Sequence, residues 1–205
     1  MKAVIDAEES ERKRIAEDLH DGIGQTLSGL KLACAGIAER LHSSEGRDAL
    51  GRLTHSLDEA CSEVRTLSHR MRPKALNELG LIPAIEDMLS RSLGHSDISY
   101  TFDHYGLGKR PGEAVEVALY RILQELVNNI IRHSQATEAS VQLYRNNQWI
   151  VLVVEENGVG FEYDAVKGRG IGLLNIQSRV EAVGGEVHYE TTPGSGTVVT
   201  IRLKA

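Results

Sequence analysis

Between residues 8 and 71 apolar side chains recur at three- and four-residue steps, over more length than two helices can bury in each other. Ile15, Leu19, Ile23, Leu27, Leu30 and Leu41 mark a first helical stretch over 8–42. Leu50, Leu53, Leu57, Val64 and Leu67 mark a second over 47–71, with Ser43, Ser44, Glu45 and Gly46 as the turn between them. Arg72-Pro73 ends it, because proline disfavours helix at the preceding residue. Gly22, Gly24, Gly29 and Gly36 interrupt the first helix, each at up to ~1 kcal/mol against alanine. The hairpin has a long apolar stripe and no intrachain partner for it. The economical solution is a four-helix bundle formed by a homodimer.

After a connector from Lys74 to Gly80 the pattern changes. A helix is expected over 82–93, where Pro83 is tolerated in the first turn. A strand follows over 96–103, then an apolar helix over 113–133. Strands over 138–145 and 149–155 flank the turn-forming pair Asn146-Asn147. A glycine-rich loop leads to a helix over 171–183, stopped by Gly184-Gly185, and strands over 186–191 and 197–203 close the chain. The expected fold class is α+β: a helical hairpin domain, 1–73, followed by a two-layer α/β sandwich, 74–205.

Composition sets limits on function. Hydrophobic residues make up 41% of the 205 and aromatics 4%, so the core is mainly aliphatic. A formal net charge of −6 lacks the positive field of a duplex DNA binder, and no direct nucleic-acid contact is expected. Cys34 and Cys61 lie in helical sequence and read as reduced thiols rather than a disulfide framework. No run approaches a membrane span, and the charged stretch from Asp6 to Asp18 is no signal peptide, so a cytoplasmic location is expected.

Three groups of residues can carry chemistry. In Leu19-His20-Asp21-Gly22-Ile23-Gly24-Gln25, Asp21 can orient the His20 imidazole and raise the basicity of its attacking nitrogen. Gln25 lies one turn beyond Asp21 on the same face, and the glycines remove bulk around the histidine. The plain alternative is a solvated helix face. Glu125, Asn129, Arg132 and His133 stand at i, i+4, i+7 and i+8, a polar stripe on an apolar helix. A divalent metal with phosphate would supply partners for such groups, since Mg²⁺ takes few protein oxygens; solvent would do so as well. The third group is Glu156-Asn157-Gly158-Val159-Gly160, then Gly168-Arg169-Gly170-Ile171-Gly172-Leu173, then Gly194-Ser195-Gly196-Thr197. Glycines at a helix start let backbone amides cradle phosphate. Neither the Rossmann nor the Walker pattern is met. The remaining histidines have no metal-ligand spacing.

Taken in order, these groups resemble the catalytic core of bacterial sensor histidine kinases of the nitrate-sensor-like subfamily, over about residues 8–203. His20 to Gln25 match the subfamily's His-Asp-x-x-x-Gln, and Arg72-Pro73 with Leu79-Gly80-Leu81 match its linker. Glu125 and Asn129 match the metal-binding box, and the three glycine groups match the boxes of a GHKL-type ATP-binding domain. The resemblance implies an ATP-dependent protein-histidine kinase. His20 would accept the γ-phosphoryl group with Asp21 as general base, and would pass it to an aspartate of a cognate response regulator. Gln25 would position water for regulator dephosphorylation. Glu125 and Asn129 would hold Mg²⁺. Arg132, His133, Glu156, Gly158, Gly160, Gly170, Gly172, Leu173 and Thr197 would join them around ATP. Two departures stand out. Glu156 occupies the place of the family's adenine-reading Asp, about 1.5 Å longer, which is expected to weaken ATP binding. No sensor or membrane segment is present, so sensing is expected through further sequence or a separate chain. The same ATP-binding fold also serves ATPases of the gyrase, mismatch-repair and heat-shock kinds, which leave the hairpin and His20 unexplained. A scaffold or phosphatase-only protein with an impaired nucleotide site is the other alternative.

Overall fold

The computed structural model describes residues 2–38, 43–71, 76, 78–94, 96–108, 110–166 and 170–204. The chain divides into two compact units, Asp6–Lys74 and Ala75–Ala205, with Met1–Ile5 grouped with the second.

The first unit is helical. Helix α1 (Lys2–Asp18) runs into a π turn (Leu19–Gly24), then α2 (Gln25–Ala38) and α3 (Ser44–Met71). The uninterrupted helix expected over 8–42 is thus opened by a wider, i→i+5 turn at His20. Thr26 and Ser28 donate their hydroxyls back to the carbonyls of Gly22 and Gly24, at 2.9 and 2.8 Å. Ser44 to Gly46 belong to the first turn of α3 rather than to a loop. Ser43 caps that turn, its Oγ accepting the Gly46 amide at 3.1 Å. The stop at Arg72-Pro73 lies outside the described residues. Lys31 on α2 pairs with Asp58 on α3 at 2.6 Å. Among the described residues of this unit only Ala16 and Cys34 are buried, while Ile23, Leu30, Ile37, Leu53 and Leu67 remain exposed. The apolar stripe therefore persists in the folded hairpin.

The second unit is a five-stranded sheet with helices on one face. Helix α4 (Leu81–Leu93) is followed by β1 (Ser99–Tyr105), α5 (Glu113–Asn129), a π turn (Ile130–Ser134), β2 (Glu138–Asn146) and β3 (Trp149–Glu156). A short α6 (Tyr163–Val166), α7 (Ile171–Ala182), β4 (Glu186–Thr191) and β5 (Thr197–Lys204) complete it. The strand order is β1-β2-β3-β5-β4. Strands β1 and β2 are parallel, joined through α5, and the other pairs are antiparallel. Asn147, in the left-handed region at φ 55°, makes the β2–β3 hairpin turn.

Period-two patterning decides which sheet face is covered. Val141 and Leu143, Ile150, Leu152 and Val154, and Val199, Ile201 and Leu203 point into the helical layer and are buried. Leu119, Ile122, Leu123 and Leu126 of α5, Ile85 and Leu89 of α4, and Ile176 and Val180 of α7 meet them. Each fully buried Leu or Ile contributes roughly 1.5–3 kcal/mol. No helix among the described residues is long and apolar enough to cross a membrane. Cys34 is buried, Cys61 is half-buried, and both are free thiols.

Candidate functional site

The site forms where the apolar rows of the sheet end in polar residues. Glu156 continues the inward-facing row of Ile150, Leu152 and Val154, and Thr197 continues that of Val199, Ile201 and Leu203. The two are direct partners in the β3–β5 register, and both are buried, at 7% and 9% exposure. Strand parity thus drives a carboxylate and a hydroxyl into the helical layer just where α5 has ended. Above them lies a cavity of about 430 Å³.

Asn129, His133, Glu156, Gly160, Gly170, Gly172, Leu173 and Thr197 all line it, drawn from four stretches of sequence up to 68 positions apart. Leu126, Ile130, Ser134, Val154, Phe161, Tyr189 and Val199 supply the rest of the wall. The mouth and floor therefore combine one carboxylate with an apolar slot, the pattern of a pre-formed small-molecule site.

The segments around 134–138, 156–161 and 191–197 are held by their own hydrogen bonds. One carboxylate oxygen of Glu156 accepts the Gly158 amide. Asn157 Oδ1 accepts the amides of Thr137 and Glu138, both at 2.9 Å, and so ties the end of β3 to the start of β2. The Ser134 hydroxyl donates to the Ile130 carbonyl at 2.7 Å and accepts the Ala136 amide at 3.0 Å. The Ser134 carbonyl accepts the Val159 amide at 2.7 Å. Thr191 Oγ1 accepts the Phe161 amide at 3.0 Å and lies 3.1 Å from Thr197 Oγ1.

Two glycines are required by backbone approach. Gly160 has φ 58° and lies against the carbonyls of Thr192 and Gly196. Gly196 has φ 72° and lies against the carbonyl of Glu156. Any side chain at either would meet both positive φ and a backbone oxygen. Gly170 caps the start of α7, so the amides of its first turn, with Gly172 and Leu173 on the cavity wall, have no partner within the helix and suit an anion.

Glu125 and Asn129, one turn apart on α5, converge on Gly172. A Cβ there would stand 2.5 Å from Glu125 Oε1 and 3.4 Å from Asn129 Oδ1. Two side-chain oxygens beside a helix start suit a Mg²⁺ ion that takes its other ligands from phosphate and water. Among the described residues no cluster of three or more His, Cys, Asp or Glu is poised to hold a metal by itself.

Not every sequence-selected residue reaches the cavity. Arg132 is exposed and absent from its wall, although His133 lines it. The expected i, i+4, i+7, i+8 stripe assumes a regular helix, whereas the backbone widens into a π turn over Ile130–Ser134 and swings the register after Asn129. Gly158 serves the loop from behind, packed on the Ser134 carbonyl and the Glu156 carboxylate. Gly168 and Arg169 lie outside the described residues. Asp21 and Gln25 are exposed in the helical unit, at the π turn that also holds His20. Sequence reasoning missed Ser134, Phe161 and Tyr189. Val154 and Val199 could have been found from parity with Glu156 and Thr197; Tyr189 left no comparable signal.

Comparison with known proteins gives two family matches. A family described as histidine kinase matches residues 11–76. A family described as histidine kinase-, DNA gyrase B- and HSP90-like ATPase matches residues 114–205. Among curated proteins, the signal transduction histidine-protein kinase/phosphatase DegS of Brevibacillus brevis is 30% identical over 98% of this chain and 53% of its own length. The oxygen sensor histidine kinase NreB of Staphylococcus carnosus is 32% identical over 99% of this chain and 59% of its own. Among solved structures, the histidine kinase domain of the Erythrobacter litoralis blue-light activated kinase superposes with a TM-score of 0.54 at 14% identity. That match covers 88% of this chain and 94% of that one and shows a shared fold. The chain spans a little over half the length of the two curated relatives.

Proposed function

The chain belongs to the histidine kinase family, and on that premise we propose that it is the catalytic core of a two-component protein-histidine kinase that autophosphorylates His20 from ATP. The observation that carries this reading is one cavity into which eight residues of four separated motifs converge. Residues 1–73 act as the dimerisation and phosphoacceptor domain and 74–205 as the ATP-binding domain.

In this reading Glu156 and the apolar slot beside it would take the adenine, and the first turn of α7 would take the phosphates. Glu125 and Asn129 would hold Mg²⁺, which would supply charge neutralisation to the phosphates. Asn129 and His133 line the phosphate side, and Arg132 faces solvent beside it. A His20 ring nitrogen attacks the γ-phosphorus, a P–N bond forms as the bond to the bridging oxygen of ADP breaks, and Asp21 takes the ring proton. Phosphoryl transfer asks mainly for positioning and charge neutralisation, to which the hydrogen-bonded segments around the cavity and the start of α7 would contribute. The phosphoryl group then passes to an aspartate of a response regulator, and Gln25 orients water when that regulator is dephosphorylated.

The thinly buried helical unit with its exposed apolar stripe supports a homodimer through residues 8–71. A kinase core that draws on ATP belongs in the cytoplasm in this reading.

Incubation with labelled Mg-ATP tests the proposal. Label should appear on the wild-type chain, survive base and vanish in acid, as a phosphoramidate does. His20→Gln should abolish it while leaving nucleotide binding intact. Label retained in that variant would refute the assignment.

A further inference from the structure

The unit that begins at residue 75 grips its own first residues from far along the chain. Leu76 is buried, and its carbonyl accepts a hydrogen bond from Arg110 Nη2 at 3.1 Å, across 34 positions. The same guanidinium makes a two-pronged pair with Glu116, Nε to Oε1 at 3.0 Å and Nη2 to Oε2 at 2.7 Å. It also lies 3.6 Å from where a Cβ on Gly80 would stand, and Gly80 is buried with φ 92°. Glu116 sits in the first turn of α5 with its side chain 5% exposed.

Glu116 is buried while the Arg110 side chain keeps 56% exposure, and such a half-buried pair is a poor device for stability alone, because desolvating the carboxylate offsets much of the attraction. Its best-attested use is to fix one geometry among several. The geometry fixed here is that of the connector, between Lys74, where the helical unit ends, and Leu81, where α4 begins. In phosphoryl transfer a misplacement of about 1 Å remote from the chemistry reduces the rate by roughly a hundredfold.

We infer that Arg110 is a positioning residue for phosphoryl transfer: through Glu116 it clamps Leu76 and Gly80, so that the connector leaves the ATP-binding unit from one fixed point. The inference rests on the kinase reading above. Arg110, Glu116 and Leu76 do not line the nucleotide cavity, so the clamp acts on transfer and not on ATP binding.

The test uses the full chain with R110M/E116L, which removes both charges at similar volume, and R110K, which keeps the charge without the two-pronged grip. Three quantities are read: ATP affinity by titration calorimetry, the rate and KM of His20 labelling, and amide exchange over 76–82. In the double variant, ATP affinity and KM should stay within twofold, labelling at saturating Mg-ATP should fall at least tenfold, and exchange over 76–82 should quicken. R110K should fall between, and decides by the same readouts if the double variant does not fold. Parental labelling and parental exchange in a folded variant would overturn the inference. So would loss of ATP affinity in step with labelling, which would make the pair a general support of the unit. A wild-type chain that takes no label defeats the kinase reading instead, and exchange over 76–82 then decides the clamp alone.

Discussion

Glu156 and Gly158 close a loop on themselves: the carboxylate that ends β3 bends back to accept the amide two residues on. The longer acid therefore does not stand one bond further into the cavity, as its length alone suggests. It spends its reach on the turn and leaves one oxygen for a ligand.

The first prediction concerns that remaining oxygen. Glu156→Ala should weaken ATP binding by roughly tenfold to more than a hundredfold, the value of a hydrogen bond to a charged acceptor at ~1.5–3 kcal/mol. Glu156→Asp should stay within about threefold of the parent, since a shorter acid can also close an i→i+2 loop. Titration calorimetry in Mg²⁺ measures both. Markedly tighter binding by the Asp variant would show that the extra length does weaken the pocket.

Gly172→Ala should act through Glu125. The added methyl would press on Glu125 Oε1, 2.5 Å from the ideal Cβ, and move the carboxylate away from the start of α7. The expected result is a several-fold higher Mg²⁺ requirement for nucleotide binding, with the thermal midpoint nearly unchanged. An unaltered Mg²⁺ dependence would remove Glu125 from the metal site.

Tyr189 stacks on Tyr163 at 5.0 Å between ring centroids, and its hydroxyl is buried with no hydrogen-bond partner among the described residues. Burial pushes the phenol well above its ordinary pKa of about 10. The unfolded chain then loses this proton before the folded one does, so stability is full below about pH 10 and falls as pH rises beyond it. Tyr189→Phe should remove that share of the alkaline loss. It should also stabilise the unit at pH 7 by about 1 kcal/mol, because an unsatisfied buried hydroxyl is relieved. Thermal unfolding at pH 7 and above pH 10 measures both, and a destabilised Phe variant at pH 7 would contradict the account.

Gln25→Ala should keep autophosphorylation and slow regulator dephosphorylation by about tenfold or more, the scale of losing one water-orienting group. Gln25 is exposed at the junction of the π turn and α2, where it can hold a water without titrating. Phosphatase and kinase assays on one preparation separate the two effects. Equal loss of both would make Gln25 structural.

Much of this architecture was legible in the residues. The strands over β2 to β5 and helices α4, α5 and α7 announce themselves by period two or 3.6, because burial on one face constrains every second or every third-to-fourth residue. The π turns did not. An apolar stripe survives one extra residue in a turn with little change in composition, so neither the opening at His20 nor the swing that carries Arg132 off the cavity wall was visible. The clamp of Arg110 on Leu76 was equally hidden, since nothing local in either segment signals the other.

The sequence by itself determined the types of element, the polar residues set among apolar ones, and the places where only glycine allows the chain to bend. Those follow from side-chain chemistry acting over a few residues. Tertiary structure alone decided that Glu156 and Thr197 stand side by side, that Glu125 meets Gly172, and that Asn157 staples β3 to β2. Such contacts depend on strand register and on backbones approaching within a few ångströms across long loops. They arise when one core closes and are encoded in no local stretch of the chain.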